Sequence, residues 1–442
     1  MAPIKMPIED RLVRLLDHLG IRRAHFAASF PYAAQLLAAR PTAVASAILV
    51  RPGGFDPVPW QGHGERLLMV YGDAMPSVPE IRQSLRAIPN AREAVLRGYA
   101  HLPWSDVAVD RTEELHAHMR AFLDRMTVND HTPSIRPLES QGEVAGLRYR
   151  VEGSGPPLVL LPVGLAPTQW NAVIPPLAEA FCVISVGGRY LGAVATLEER
   201  GSTWGYHKLL ASVLEEMALD VDANVLEVGC GSGVVCRWLA ERVSAPITGV
   251  DLSPYMLGEA KTLAAHEGLL DRISFRQGSA EDLPFADASF GAVLSVTVME
   301  EVDADRMLAE MLRVTQPGGR IGIVVRATDV PHWLSLGLPV ELAQRISRSI
   351  GAFRAERGCA DKSLYRRVRA AGLTDVRCWP YLTAFYPEVD VDENWVGAVS
   401  GIVASLSPIE AEQWHEAVAR ARAEGGLVWA QTFHCAVGTK PL

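Results

Sequence analysis

Two rhythms alternate along the 442 residues. Short, nearly continuous apolar runs of five to seven residues are separated by longer segments whose apolar positions recur every three or four. The first kind reads as buried strand and the second as amphipathic helix. Over residues 8–126 this predicts helices at 9–19, 31–40 and 109–125, and strands at 24–28, 45–50, 67–71 and 94–98. Strands interleaved with helices are the mark of a largely parallel sheet. Residues 127–138, TVNDHTPSIRPL, are polar with two prolines and read as a linker. The βα style resumes in 142–190. GLRYRVEG and PLVLLPV are strands around a Gly-Ser-Gly turn, followed by a helix near 167–180 and the strand FCVISV.

A second unit begins near Gly201. Helix 206–218 leads into the strand Asn224–Val228 and the helix Val234–Arg242, and the alternation continues to about residue 325. Further helices follow, with two more strands in DVRCWPY and LVWAQTFHCAVG. The expected architecture is α/β, with two doubly wound domains. One spans 1–126 and 139–200 around the linker 127–138; the other spans 201–442.

Composition narrows the function classes. With 49% hydrophobic and 21% charged residues the chain is an ordinary globular one. A net charge of −9 argues against nucleic acid as a partner. No apolar run has transmembrane length and no signal peptide opens the chain, so neither membrane nor secretion is expected. The six cysteines are dispersed without CxxC or zinc spacing. Reduced thiols, a cytoplasmic location and no metal follow as expectations.

The richest local signal is EVGCGSG at 227–233. It joins a buried strand to a helix. Glycines at 229, 231 and 233 let backbone approach a ligand closely and adopt dihedrals that a Cβ forbids. The helix start offers free N–H groups. Twenty-two residues beyond Gly229, a second strand ends in Asp251. A carboxylate there can accept hydrogen bonds from both hydroxyls of a ribose. The spacing is GxGxG, which points to a ligand without a pyrophosphate.

Over about 201–440 the chain resembles the class I S-adenosylmethionine-dependent methyltransferases. EVGCGSG, VDLSPYM, GSAEDLPF, FGAVLSVTVMEEV and LRVTQPGGRIGIVV match the family's motifs in order. The resemblance implies S-adenosyl-L-methionine as cofactor. It implies Glu227 near the ligand's amino group, glycines 229, 231 and 233 beneath it, and Asp251 on the ribose. Leu252 and Met256 would lie near the adenine, with Ser279, Ala280 and Glu281 at its edge. Ser279 replaces the family's usual Asp, leaving the Ala280 backbone to serve. Tyr206 and Val296 complete the set. The sulfonium makes the methyl group electrophilic, so the protein mainly aligns a small-molecule acceptor and excludes water. Where the acceptor must lose a proton, His207, His332 or Glu301 could take it or position the acceptor. Trp204, Tyr206, Trp333 and Trp395 could line an apolar pocket.

The first unit resembles a different family. Ala27-Ala28-Ser29-Phe30-Pro31 falls on the nucleophile elbow of the α/β-hydrolases, and RGYAHLPWSDV on their histidine region, at His101. The family's opening strands come late, at 146–192, so the resemblance implies a circular permutation. The chemistry looks damaged. Pro31 fixes φ at the elbow, Met75 stands at the acid position with Asp73 and Asp56 as substitutes, and Pro162-Val163 replaces the oxyanion-loop His-Gly. A hydrolase-like unit without hydrolysis is expected, shaping the pocket or forming a homodimer face. Two alternatives stay open: a bifunctional enzyme using Ser29 and His101, and a cofactor-binding protein that transfers no methyl.

Overall fold

The computed structural model describes residues 6–29, 32–51, 57–75, 78–100, 106–129, 133–219, 223–349, 355–385 and 406–442. The chain divides into two compact units, 1–196 and 197–442.

The first unit is built on an eight-stranded sheet: β1 (Ala24–Ala28), β2 (Val44–Val50), β3 (Leu67–Gly72), β4 (Arg92–Leu96), β5 (Gln141–Val144), β6 (Leu147–Glu152), β7 (Pro157–Leu160) and β8 (Cys182–Gly187). Its order is β4-β3-β2-β1-β7-β8-β6-β5. Neighbours from β4 through β8 are parallel, whereas β6 is antiparallel to both β8 and β5. Helices cover both faces. Phe26 and Ala28 face one apolar cluster with helices Ile8–His18 and Tyr32–Ala39, while Ala27 faces the other with helix Thr112–Asn129. Burial on both sides explains why VASAILV lacks polar alternation. Its polar exception, Ser46, pairs with His25 of β1 at 2.7 Å, both fully buried.

Three boundaries differ from the sequence reading. The segment near 167–180 is two pieces, a 3-10 turn at Pro167–Ala172 and a helix at Ile174–Ala178. Pro175 and Pro176 lack the N–H groups that a continuous helix needs and sit instead in the first turn of the second piece. The helix expected at 109–125 is also two, Val107–Asp110 and Thr112–Asn129, the latter running three residues into the polar stretch from 127. Edge strand β5, with its polar sequence QGEV, carried no apolar signal.

The second unit has its own eight-stranded sheet: β9 (Val225–Val228), β10 (Ile247–Asp251), β11 (Ile273–Gln277), β12 (Phe290–Val296), β13 (Thr315–Arg326), β14 (Trp333–Leu334), β15 (Thr374–Phe385) and β16 (Trp429–Thr439). The order is β11-β10-β9-β12-β13-β16, with β15 and the short β14 both pairing β16. Strands β9–β13 are parallel and β16 is antiparallel to β13. The strand order reverses between β9 and β12, and such a switch point opens a crevice at the carboxyl ends of the strands. Helices Trp204–Met217 and Val234–Ala240 pack on one face, and Ala304–Val314 and Ser363–Ala370 on the other. Side-chain caps fix several helix starts. Thr203 accepts from the Tyr206 N–H, Ser253 from Met256, and Asp303 from Asp305 and Arg306. Among the described residues no helix is long and apolar enough to cross a membrane.

Candidate cofactor site

The turn from β9 into helix Val234–Ala240 lies at this switch point. Gly229, Gly231 and Gly233 have φ of +74°, +51° and +73°, all in the left-handed region. Space is equally restrictive. A Cβ on Gly229 would overlap the Val298 side chain, and one on Gly231 would lie 2.7 Å from Leu197 Cδ1. The bare backbone is thus required twice over, by dihedral and by contact.

Two carboxyls frame the turn. Asp251, at the end of β10, accepts the Gly231 N–H on Oδ2 at 2.8 Å and the Ser253 N–H on Oδ1 at 2.9 Å. A carboxylate has about four acceptor directions, so capacity remains for a ligand hydroxyl. Burial raises its pKa, and the backbone N–H groups of Ser253, Gly231 and Leu252 oppose the rise. Glu227 lies under the turn, 2% exposed. Burial pushes its pKa up to about 8, and the Cys236 thiol donates to Oε2 at 2.8 Å.

Residues 197–202, the second half of helix Gly192–Ser202, pack on the turn. A Cβ on Gly201 would overlap Val234. Glu198 is buried and binds the Ser232 hydroxyl at 2.7 Å and the Arg237 guanidinium at 2.5 Å. Arg237 also donates to the Ser232 carbonyl at 2.8 Å. This buried network anchors helix, turn and following helix together.

Beyond β12 the backbone is strained. Thr297, a β-branched residue, has φ +58° and donates its N–H to the Val324 carbonyl at 2.8 Å. Arg200 Nη2 donates to its hydroxyl at 3.2 Å. The Arg200 guanidinium carbon stands 5.1 Å from the Tyr206 ring centroid. Glu300, fully buried, pairs with Arg326 at 2.9 Å.

The sequence-read residues fall in distinct surroundings. Met256 is fully buried; Leu252 is 64% exposed. The Ser279 hydroxyl accepts the Glu281 N–H at 3.1 Å, and Glu281 itself accepts from the Asp303 N–H and pairs with Arg306. Ala280 packs on the apolar cluster on the side of helix Ala304–Val314, and Val296 is buried in the cluster on the opposite face of the sheet. Tyr206 and His207 leave their helix differently: Tyr206 turns to Phe433 and Arg200, His207 to Trp238. His332 stands against Trp429, where burial lowers its pKa, in the region of a small separate cluster that includes Trp414 and Leu342. Glu301 donates its N–H to the Val298 carbonyl and is partly buried. Trp204 and Trp333 are more than half exposed. Trp395 lies outside the described residues. Sequence reasoning missed Arg200, Thr297, Glu198 and Arg237. Two acids and a base in EERGSTW, just before a tyrosine-bearing helix, were the available hint.

In the first unit Ser29 follows β1. Its hydroxyl donates to the Arg51 carbonyl at 3.1 Å, and its N–H to the Pro162 carbonyl at 3.4 Å. Met75 packs on the core, and Asp73 accepts the Gly98 N–H at 2.7 Å. His101, Asp56, Phe30 and Pro31 lie outside the described residues. All six cysteines are free thiols.

A glycine turn that excludes Cβ atoms, a carboxylate with acceptor sites to spare, and a carboxyl poised to take a cation fit a nucleoside with a charged amino-acid tail. Residues 226–323 match the family model described as a methyltransferase domain. Methyltransferase GfsG of Streptomyces halstedii is 42% identical over 116 residues, 25% of this chain and 42% of its own. Ajmaline N-methyltransferase of Rauvolfia serpentina is 37% identical over 132 residues, 29% of this chain and 44% of its own. Tocopherol O-methyltransferase of Arabidopsis thaliana is 31% identical over 210 residues, 45% of this chain and 59% of its own. The chain spans about half the length of these relatives. Its second unit thus carries a methyltransferase domain of the S-adenosylmethionine-dependent kind.

Proposed function

We propose that the chain methylates a small molecule at oxygen or nitrogen. The single observation that carries this is the Gly229–Gly233 turn at the switch point, with Asp251 of the neighbouring β10 bonded to its Gly231 N–H. Of the relatives, one is named for an ajmaline N-methylation and another for a tocopherol O-methylation. In this reading Asp251 holds the ribose, Glu227 the ammonium, and Met256, Leu252 and the 279–281 segment the adenine. The cofactor supplies a methyl carbon that accepts the acceptor's lone pair as the C–S bond pair leaves on sulfur. The chain's part is alignment and exclusion of water. Glu301, His207 and His332 stand in different surroundings. The reading therefore assigns proton removal to at most one of them, with Glu301, next to buried Glu300, favoured. Calorimetric binding of S-adenosylhomocysteine, then isotope transfer from labelled cofactor to an acceptor panel, tests it. No binding would overturn it. Binding without transfer to any acceptor would favour a protein that only holds its nucleoside.

For the first unit we infer a permuted hydrolase-like sheet that does not hydrolyse. Counted from Gln141, its strands run 1-2-4-3-5-6-7-8 across the sheet, a single exchange, which supports the permutation. Ser29 follows the fifth in that count, and its hydroxyl is spent on a backbone carbonyl. A serine-directed fluorophosphonate that labelled Ser29 would overturn the inactive reading. The free thiols agree with a cytoplasmic location.

A further inference from the structure

The first sheet has a switch point of its own. From β1 the order runs outward through β2 to β4 on one side and through β7 to β8 on the other. The helix after β1, Tyr32–Ala39, packs on one face; the turn and helix after β7, Pro167–Ala172 and Ile174–Ala178, pack on the other. Adjacent parallel strands whose connections part in this way open a crevice at their carboxyl ends. Three segments meet there. Ser29, after β1, donates its N–H to the carbonyl of Pro162, after β7, and its hydroxyl to the carbonyl of Arg51, after β2.

A buried amide at this place has one end unused. Gln169 is 1% exposed. Its Oε1 accepts the N–H groups of Leu165 at 2.8 Å and Ala166 at 3.3 Å. Two donors on one atom mark it as the oxygen, so the other terminus is the nitrogen. That Nε2 is shielded from water and has no hydrogen-bond partner among the described residues, a costly state for a donor. Arg51 stands beside it. A Cβ on Gly164 would lie 2.9 Å from Arg51 Nη1 and 4.0 Å from Gln169 Oε1, so the bare glycine lets guanidinium and amide share one space. Arg51 has φ +58°, and its main chain is held at both ends, by the Val70 carbonyl at 2.8 Å and the Ser29 hydroxyl at 3.1 Å. Left-handed backbone in a residue with a side chain gathers at binding sites. The arginine is partly buried, and burial lowers its pKa.

We propose that the first unit binds the carboxylate of a small organic acid in this crevice, held by the Arg51 guanidinium and the Gln169 side-chain N–H. The amide nitrogen needs an acceptor, and a guanidinium offers five N–H donors in a planar fork that matches a carboxylate through two parallel bonds. Charge sets the class. One cation balances one negative charge, whereas a doubly charged phosphate would leave a charge uncompensated where water is scarce. The site binds and breaks no bond: the Ser29 hydroxyl, spent on the Arg51 carbonyl, holds the arginine in place. Every residue in it belongs to the first unit, so it stands apart from the cofactor reading. The competing role for Gln169 is to cap its own turn, and the test separates the two.

The experiment is calorimetric titration of the full chain with acetate, propionate and benzoate at fixed ionic strength, with inorganic phosphate and chloride as comparison anions. At least one carboxylate should bind saturably, and neither comparison anion should displace it. Arg51→Met should weaken that binding by about 10- to 100-fold, the range of a charge-assisted hydrogen bond, and Arg51→Lys should recover part of the loss. Gln169→Glu keeps an oxygen for the Leu165 and Ala166 N–H groups but offers Arg51 a carboxylate in the ligand's place. It should abolish binding while thermal unfolding stays near that of the unaltered chain, and it decides the matter if Arg51→Met fails to fold. In a chain labelled at its glutamines, the side-chain amide signal that Gln169→Glu removes should shift along the same saturation curve. Absence of saturable carboxylate binding, or binding untouched by Gln169→Glu, would leave Gln169 as a cap alone. Tighter binding of phosphate would make the ligand class wrong. Each of these results overturns the proposal.

Discussion

The two sheets end their central strands differently. After β9 the chain makes a turn with no side chain larger than a thiol, and two carboxyls with raised pKa values stand around it. After β1 comes Ser29, whose hydroxyl is satisfied by the Arg51 carbonyl and whose N–H is satisfied by Pro162. Both turns lie at the carboxyl ends of parallel strands, where α/β folds place ligands. The first keeps carboxyl oxygens that can take further partners, whereas at the second the Ser29 hydroxyl and N–H are both paired. Buried ionisable groups held away from their ordinary pKa are costly, and sites that bind charge retain them. Burial also lowers the pKa of Arg51 beside Ser29, so the two turns differ in the sign of the charge they bury.

The sharpest way to break this contrast is to fill the bare turn. Gly229→Ala places a methyl group against Val298 at φ +74°. Strain of that kind costs about 1–3 kcal/mol. The thermal shift on adding S-adenosylhomocysteine should disappear; a full shift would show that the turn is not in the site. Next in size, Asp251→Ala should weaken calorimetric S-adenosylhomocysteine affinity by about 1–3 kcal/mol, the value of hydrogen bonds to a charged group. Unchanged affinity would remove Asp251 from the ribose.

A pH series sharpens the comparison through Glu227. Its folded pKa, about 8, lies above the unfolded value. The folded state therefore holds a proton that the unfolded state has lost. Its contribution to stability is full below the ordinary glutamate range and declines as pH rises through the folded pKa. Glu227→Gln should flatten this decline in thermal unfolding. A cationic ligand favours the ionised carboxyl, so binding should release a proton near neutral pH, and Glu227→Gln should abolish the release. Titration in buffers of different ionisation enthalpy reads that proton. The smallest effect belongs to the first unit. Ser29→Ala should cost at most about 1 kcal/mol of stability, one neutral hydrogen bond, and leave cofactor affinity unchanged. Met75→Asp should create no esterase activity toward a chromogenic ester.

Sequence made some of this legible and hid the rest for physical reasons. Strands such as Leu67–Gly72 and Pro157–Leu160 were readable because burial on both faces demands unbroken apolar runs. The glycine turn was readable because its constraint is local: each φ must be borne by the residue itself. QGEV was not, since an edge strand needs backbone partners and no apolar side chains. The break near Val173 was written in Pro175 and Pro176 and was outvoted by the helical spacing around them. Arg200 had only the charged run in EERGSTW as a signal. Its significance comes from Thr297 and Tyr206, and only the folded chain brings Thr297, almost a hundred residues on, to its side.

The order of strands in the first sheet also governs when that sheet can form. β1, apolar along most of its length, is flanked by β2, made early, and by β7, which begins at Pro157. During synthesis the central strand therefore waits, one edge open, until well over a hundred further residues have emerged. Closing so long a loop is slow, and a bare apolar edge pairs readily with other chains. A fragment ending near residue 140 should aggregate in a sedimentation assay, whereas one ending near 190 should stay in solution. The late place of β7 in the chain thus makes folding of the nascent first unit depend on timing.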